Sequence, residues 1–278
     1  MKQSYEFYEI TRTTLEQLAS LRGLSSTELE TYYRTTDKHF RFYKTLSGIP
    51  QVFAQMAFHV QNAQRMNKFI AFEKNFGIFR EITEGFVPEV FLAKFRNADV
   101  LAEVIAKRLG RKNGGFTKRY ANALIASAKY LVNFHFRGDL IEDLLQNGGR
   151  NEDAEALIGY FRKKVPYGFG IALSCDFLKE LDDCFSFLAK PDVHLMDTVC
   201  ALKGSARKNY EGEKGISLVK DMQELVDEIN GTLRQKGERT ITVYQLDRMI
   251  WLICSENFFL HDVENGKEIY IKKIAGCY

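Results

Sequence analysis

Proline is scarce in this chain, with 4 in 278 residues, and the 20 glycines follow no repeating pattern. Those absences exclude a collagenous or low-complexity protein. No apolar run approaches the ~20 residues a membrane span needs, so no membrane partner is expected. Cysteine is sparse and odd in number: Cys175, Cys184, Cys200, Cys254 and Cys277 are scattered, and no two stand in C-x-x-C spacing. That argues against a disulfide framework and for a reducing compartment. It also argues against a zinc or iron–sulfur site. Residues Met1 to Arg12 are polar and of mixed charge, unlike a secretory signal or transit peptide. The location expected is cytoplasmic, nucleoid-associated in a bacterium.

What is present describes a globular chain. Hydrophobic residues make up 45% and charged residues 27%, ordinary values for a folded domain. At about 150 residues per domain, the length suits one large domain or two small ones. The net charge of +3 is too small to choose a partner, but its distribution is uneven. Between Val104 and Gly138 stand eight basic residues (Lys107, Arg108, Arg111, Lys112, Lys118, Arg119, Lys129, Arg137) and no acid. From Asp139 to Glu155 the sign reverses, with six acids against Arg150. The run Arg162-Lys163-Lys164 follows. Basic blocks suit a phosphate backbone; the plainer reading of each is a solvated helix face.

Apolar periodicity is helical almost throughout. Ser25-Ser26-Thr27-Glu28 reads as a helix start, followed by Leu29, Tyr32, Tyr33 and Phe40 at helical spacing. Pro50 to Phe76 is long and amphipathic, and Arg119 to Val132 puts Tyr120, Leu124, Ala128 and Leu131 on one face. A C-terminal helix is expected over Val243 to Phe259, carrying the single tryptophan, Trp251. Thr240 to Val243 is β-prone, and the alternation of Lys267 to Ile274 predicts a strand. The expected class is all-α or nearly so.

The chemically informative stretch runs from Val165 to Leu202. Pro166-Tyr167-Gly168-Phe169-Gly170 joins a helix over Asn151 to Lys164 to one over Ile171 to Leu181. Two glycines spaced by one residue permit a tight hairpin, since glycine takes positive φ freely. The second helix then offers free N–H groups to an anion. By itself this is also an ordinary helix–turn–helix joint. It is no dinucleotide fingerprint, since no strand precedes it and a third glycine is missing, and there is no P-loop. Lys190-Pro191-Asp192-Val193-His194 then opens another helix, with Asp192 near its N-cap. A cap alone would explain that aspartate, at about 1 kcal/mol.

Taken together, helix, G-x-G hairpin, helix, short loop and P-D-x-H resemble the signature of the helix–hairpin–helix (HhH-GPD) DNA glycosylase superfamily. The likeness covers about Pro50 to Leu202. It implies an all-α, two-lobed fold with the active-site cleft between the lobes. A six-helix-type lobe would span 50–181 and end in the helix–hairpin–helix at about 151–181. A second helical lobe would be built from 1–49 and 182–278. It implies that the backbone of Gly168, Phe169 and Gly170 grips a DNA phosphate, beside Lys163 and Lys164, and leaves open a monovalent cation on the hairpin carbonyls. Asp192 would be the catalytic carboxylate, stabilising an oxocarbenium-like sugar as the glycosidic bond breaks. The target base must first leave the stack. Gln61, with Asn62 second, would fill the gap left by that base; the plainer reading of both is exposed helix-end amides. Phe58 and His59 would line the base pocket, and Trp251 would stack on the base unless it is simply core. The partner implied is double-stranded DNA carrying a damaged or modified base, bound by a monomer.

Three departures matter. Members that also cut the strand carry a lysine two residues after the second hairpin glycine, where this chain has Ala172. A base excision without a lyase step is therefore expected. The four-cysteine cluster of some members has no counterpart, and no cofactor is expected. Tyr167 also adds one residue to the hairpin. The alternative reading is a non-catalytic DNA-binding module of the same fold; a third is a helical interaction domain without a nucleic-acid role.

Overall fold

A computed structural model describes residues 2–34, 45–63, 66–255 and 266–275. Phe40, Phe258, Phe259, His261 and Cys277 lie outside the described residues. The described chain is helical, with no strand among its residues. None of its helices is long and apolar enough to cross a membrane. The chain divides into two units, one of Met1–His39 with Asp182–Tyr278 and one of Phe40–Leu181.

The first unit opens with α1 (Lys2–Leu21) and α2 (Ser26–Arg34). The second unit holds α3 (Gly48–Val60), α4 (Asn67–Ile70), α5 (Phe76–Ile82), α6 (Pro88–Lys94), α7 (Ala98–Arg108), α8 (Gly115–Leu131), α9 (Arg137–Gln146), α10 (Ala154–Lys164) and α11 (Ile171–Leu181). The chain then returns to the first unit with α12 (Val193–Lys203), α13 (Gly215–Gln235), α14 (Val243–Cys254) and α15 (Gly266–Ile274).

Caps written in the sequence set several boundaries. Before α2, Ser25 N–H donates to Glu28 Oε2 at 2.9 Å while Glu28 N–H donates to Ser25 Oγ at 3.3 Å. This reciprocal pair satisfies two amides at the helix start. Thr242 and Gln245 do the same for α14, each bond 3.2 Å long. The β-prone stretch before Thr242 has a side chain for a partner rather than a strand: Asn230 of α13 bonds both the C=O and the N–H of Ile241, at 2.8 and 2.9 Å.

The core of the first unit gathers Phe7 and Leu15 of α1, Leu195 and Leu202 of α12, Ile229 of α13, Ile250 of α14 and Ile274 of α15. The segment Lys267 to Ile274 is helix, correcting the strand expected there. Its alternation breaks down on burial: Tyr270 and Ile274, four apart, are fully buried, while Ile269 is exposed. Tyr270 OH also bonds Thr11 Oγ1 of α1 at 2.9 Å. On a strand positions 270, 272 and 274 would share one face, yet Lys272 is exposed between the two buried residues; a spacing of four with the middle position outside fits a helix.

In the second unit, Phe53 of α3 meets Phe91 and Phe86 with ring centroids 5.4 and 6.0 Å apart. Each phenylalanine buried so completely contributes about 1.5–3 kcal/mol. Tyr120 of α8 is fully buried and donates its hydroxyl to Ala57 C=O at 2.9 Å, tying α8 to α3. The stretch Pro50 to Phe76 is not one helix. It is interrupted after Val60, and Ala71, at φ 45°, ends the short α4 before α5 begins.

Candidate functional site

The hairpin is built from inside. Asp153 caps α10 by accepting the Ala156 N–H at 3.0 Å, and Val165 N–H closes the helix on Phe161 C=O at 2.8 Å. Phe169 turns inward and is buried, its ring 5.2 Å from that of Phe161 on α10 and 5.8 Å from that of Phe177 on α11. Gly168 has φ +89°, and a Cβ there would lie 2.5 Å from Ala123 Cβ on α8 and 3.1 Å from Val60 Cγ2 on α3. Only glycine fits, because the hairpin is pressed against both helices. Gly170 is exposed, and a Cβ there would meet nothing within 4 Å.

Within α11 the first bond is Ser174 N–H to Gly170 C=O, 2.9 Å. The amides of Ile171, Ala172 and Leu173 therefore have no intrahelical acceptor and carry the positive end of the helix dipole. Lys163 and Lys164 are exposed in the last turn of α10, with Lys164 Nζ 5.2 Å from the centre of the Tyr160 ring. Exposed cations, an open glycine and a row of unbonded amides make an electropositive surface that backbone phosphate oxygens could approach closely. Ala172 is half-buried. Lys179 is buried, 3.5 Å from Asp176 Oδ1.

The Phe58–Asn62 segment divides sharply. Gln61 is 4% exposed, and its Oε1 accepts the Phe72 N–H at 2.8 Å. Its carbonyl is thus committed to the bend that follows α4, which differs from the expected exposed amide. Asn62 is exposed. Phe58 is half-buried, its ring 6.3 Å from Phe72 and 5.6 Å from the His59 ring.

His59 is only 1% exposed and sits between two carboxylates of α11. Its Nδ1 is 3.3 Å from Asp176 Oδ2, and its Nε2 is 3.1 Å from Glu180 Oε2, the latter an ion pair off hydrogen-bond alignment. Burial pulls the imidazole pKa down. The close contacts with Asp176 and Glu180, and their charges, outweigh it and lift the value to about 9. With Lys179, the cluster pairs two cations against two anions inside the unit. It fastens α3 to α11, the second helix of the hairpin. The spacing of Asp176, Lys179 and Glu180 on an otherwise apolar helix was the signal for it; its partner is 117 positions away from Asp176 in sequence.

Asp192 lies in the other unit, at the N-cap of α12. Its Oδ1 accepts the N–H groups of His194 at 2.9 Å and Leu195 at 3.1 Å. Both bonds use one oxygen, so Oδ2 takes no part in the cap, and the residue is only half-buried. The approach to Asp192 is fixed by α14. Lys190 N–H donates to Asp247 Oδ2 at 2.9 Å, and Tyr244 N–H donates to Ser186 C=O at 2.8 Å. Asp247 is buried and was not singled out by the sequence; an acid inside an apolar helix face is the signal that points to it.

One turn along α12, Asp197 accepts Lys267 Nζ at 2.8 Å and also pairs with Arg207. Burial raises the Asp197 pKa, but these two cations outweigh it and hold the carboxyl below its usual range. Lys267 Nζ is also 3.3 Å from His194 Nδ1. Asp197, Arg207 and Lys267 line a groove of about 530 Å³ together with Cys200 and Ile271. Trp251 is half-buried on α14, with the Arg248 guanidinium 4.4 Å from its ring centre.

Comparison with protein-family models, with curated proteins and with solved structures gives no match to this chain.

Proposed function

We propose that this protein is a DNA glycosylase that hydrolyses the N-glycosidic bond of a flipped, damaged or modified base. The observation that carries the reading is the hairpin. Gly168 is the one residue type its contacts permit, and Gly170 and the first amides of α11 are left open beside Lys163 and Lys164. That combination suits the close approach of a backbone phosphate. An N-cap aspartate with one uncommitted oxygen follows on the next helix.

In this reading the phosphate binds the hairpin amides, which orient the duplex without reading its sequence. Asn62 takes the place first assigned to Gln61, since its side chain is the exposed one, and fills the stack when the base leaves. Asp192 Oδ2 faces the sugar. As the bond from C1′ to the base nitrogen breaks, the carboxylate stabilises positive charge at C1′. Water then adds its oxygen to C1′, and a proton goes to the departing base. Ala172 supplies no amine, so the strand stays intact.

The test is base release. The full chain is incubated with duplexes carrying different lesions and modified bases, and freed bases are identified by mass spectrometry, with Asp192→Asn in parallel. Release by the wild type alone supports the reading. Salt-dependent duplex binding without any release would move the assignment to a binding module.

A further inference from the structure

The basic stretch that follows α7 is a surface separate from the hairpin, and the proposed chemistry does not use it. Lys107 and Arg108 end α7, Arg111 and Lys112 occupy the connection, and Lys118 and Arg119 lie in the first turns of α8. All six are exposed, as is Lys129 further along α8. Arg108 pairs with Glu81, and Lys118 Nζ is 3.0 Å from Asp99. Arg137, the last basic residue of the stretch, is turned to the protein and donates to Leu181 C=O. Among the described residues, Lys107, Arg111 and Lys112 form no ion pair.

Two of the arginines are backed by aromatic rings. The Arg111 guanidinium is 5.7 Å from the centre of the Phe69 ring, Phe69 and Phe116 are 5.8 Å apart, and the Arg119 guanidinium is 5.2 Å from Phe116. The row Arg111, Phe69, Phe116, Arg119 links the connection to α8. Arg119 Nε also donates to Gly115 C=O at 3.2 Å. An arginine stacked on a ring is already ordered, so less side-chain entropy is lost when its planar fork meets an oxyanion. A merely solvated face has no need of this support. No acid occurs from Val104 to Gly138, and the acids that reach this face from elsewhere, Glu81 and Asp99, are engaged by Arg108 and Lys118.

We infer that the surface around Arg111, Lys112 and Arg119 is a second docking site for a nucleic-acid phosphate backbone, engaging duplex DNA independently of the hairpin. The chemistry favours phosphodiester over a lipid surface. An anionic lipid surface attracts a polybasic patch by diffuse charge alone, whereas guanidinium forks ordered over the Phe69 and Phe116 rings suit the fixed oxyanions of a phosphodiester backbone. The inference shares its duplex partner with the glycosylase reading but does not rest on Asp192.

The experiment measures binding of the full chain to an undamaged duplex across a range of salt concentrations. It compares wild type, the triple variant Arg111→Ser/Lys112→Ser/Arg119→Ser, and a control, Lys208→Ser/Lys214→Ser/Lys220→Ser, that removes the same charge from the other unit. Each lost phosphate contact lowers the slope of log affinity against log salt by about 0.9. The patch variant should therefore lose about 2–3 from the slope and at least about tenfold in affinity at low salt, with its melting temperature unchanged. The control should keep the wild-type slope. Equal losses in both variants, or an unchanged patch variant, would overturn the inference. So would patch-dependent binding to phosphatidylserine vesicles with no patch-dependent binding to DNA. Asp192→Asn should leave the slope untouched. A wild type that releases no base while the slopes differ as stated would remove the glycosylase reading and leave the second site standing.

Discussion

Replacing Gly168 by alanine tests the hairpin directly. The residue sits at φ +89°, and the new Cβ would fall 2.5 Å from Ala123 Cβ. Left-handed backbone costs an alanine about 1–2 kcal/mol. Forcing a methyl between packed helices costs about 1–3 kcal/mol more. The contacted atom is another methyl on α8, with Val60 behind it on α3, so no flexible chain end can swing away. A loss of about 3 kcal/mol follows, which lowers the melting temperature by about 6–12 °C for a unit of this size. The control is Gly170→Ala, where a Cβ meets nothing within 4 Å and φ is not left-handed. That variant should melt within about 2 °C of wild type yet bind duplex more weakly, because its methyl stands where the phosphate must approach. Calorimetry and duplex-binding titrations on the same preparations give both readouts. A Gly168→Ala protein as stable as wild type would refute the packing argument. A Gly170→Ala protein with full duplex affinity would refute the phosphate argument.

Two further outcomes are expected. The imidazole of His59 titrates near 9 when folded, against the usual 6.5, so folding takes up a proton. Its stabilising contribution is complete below about pH 6.5 and fades as pH climbs through about 9. Thermal melts from pH 6 to 10 should show this decline, and His59→Gln should flatten it; parallel curves for the two proteins would contradict the ion cluster. Gln61→Ala leaves the buried Phe72 N–H without its acceptor and should cost about 1–3 kcal/mol without altering the salt dependence of duplex binding. Asn62→Ala should cost under about 0.5 kcal/mol and weaken duplex binding. Reversal of that pair would show that the exposed amide is not the one at the DNA.

What the sequence made legible was local. The helical class followed from apolar spacing, and Ser25 and Asp192 announced helix starts because a cap acts on amides two or three residues away. The hairpin glycines were visible as a pattern. Their inequality was not, because it depends on Ala123 and Val60, which are distant in sequence. Gln61 was misjudged for a similar reason: its acceptor oxygen is claimed by an amide 11 residues on, after a left-handed bend at Ala71 that nothing in the local pattern marks. The strand expected over Lys267 to Ile274 rested on an alternation that packing ignores, since Tyr270 and Ile274 make the buried pair. The charged cluster of His59, Asp176, Lys179 and Glu180 joins two helices far apart in the chain, and only α11's own spacing hinted at it.

The central claim is that Asp192 serves chemistry as well as capping α12. Asparagine caps a helix about as well as aspartate, so Asp192→Asn separates the two roles. The deciding measurement is single-turnover release of the base from a duplex that the wild type processes, with duplex affinity and melting temperature recorded for both proteins. The account predicts a variant that folds and binds DNA as well as wild type or better, and frees no base. A variant that releases base at the wild-type rate would contradict it and return Asp192 to the role of a cap.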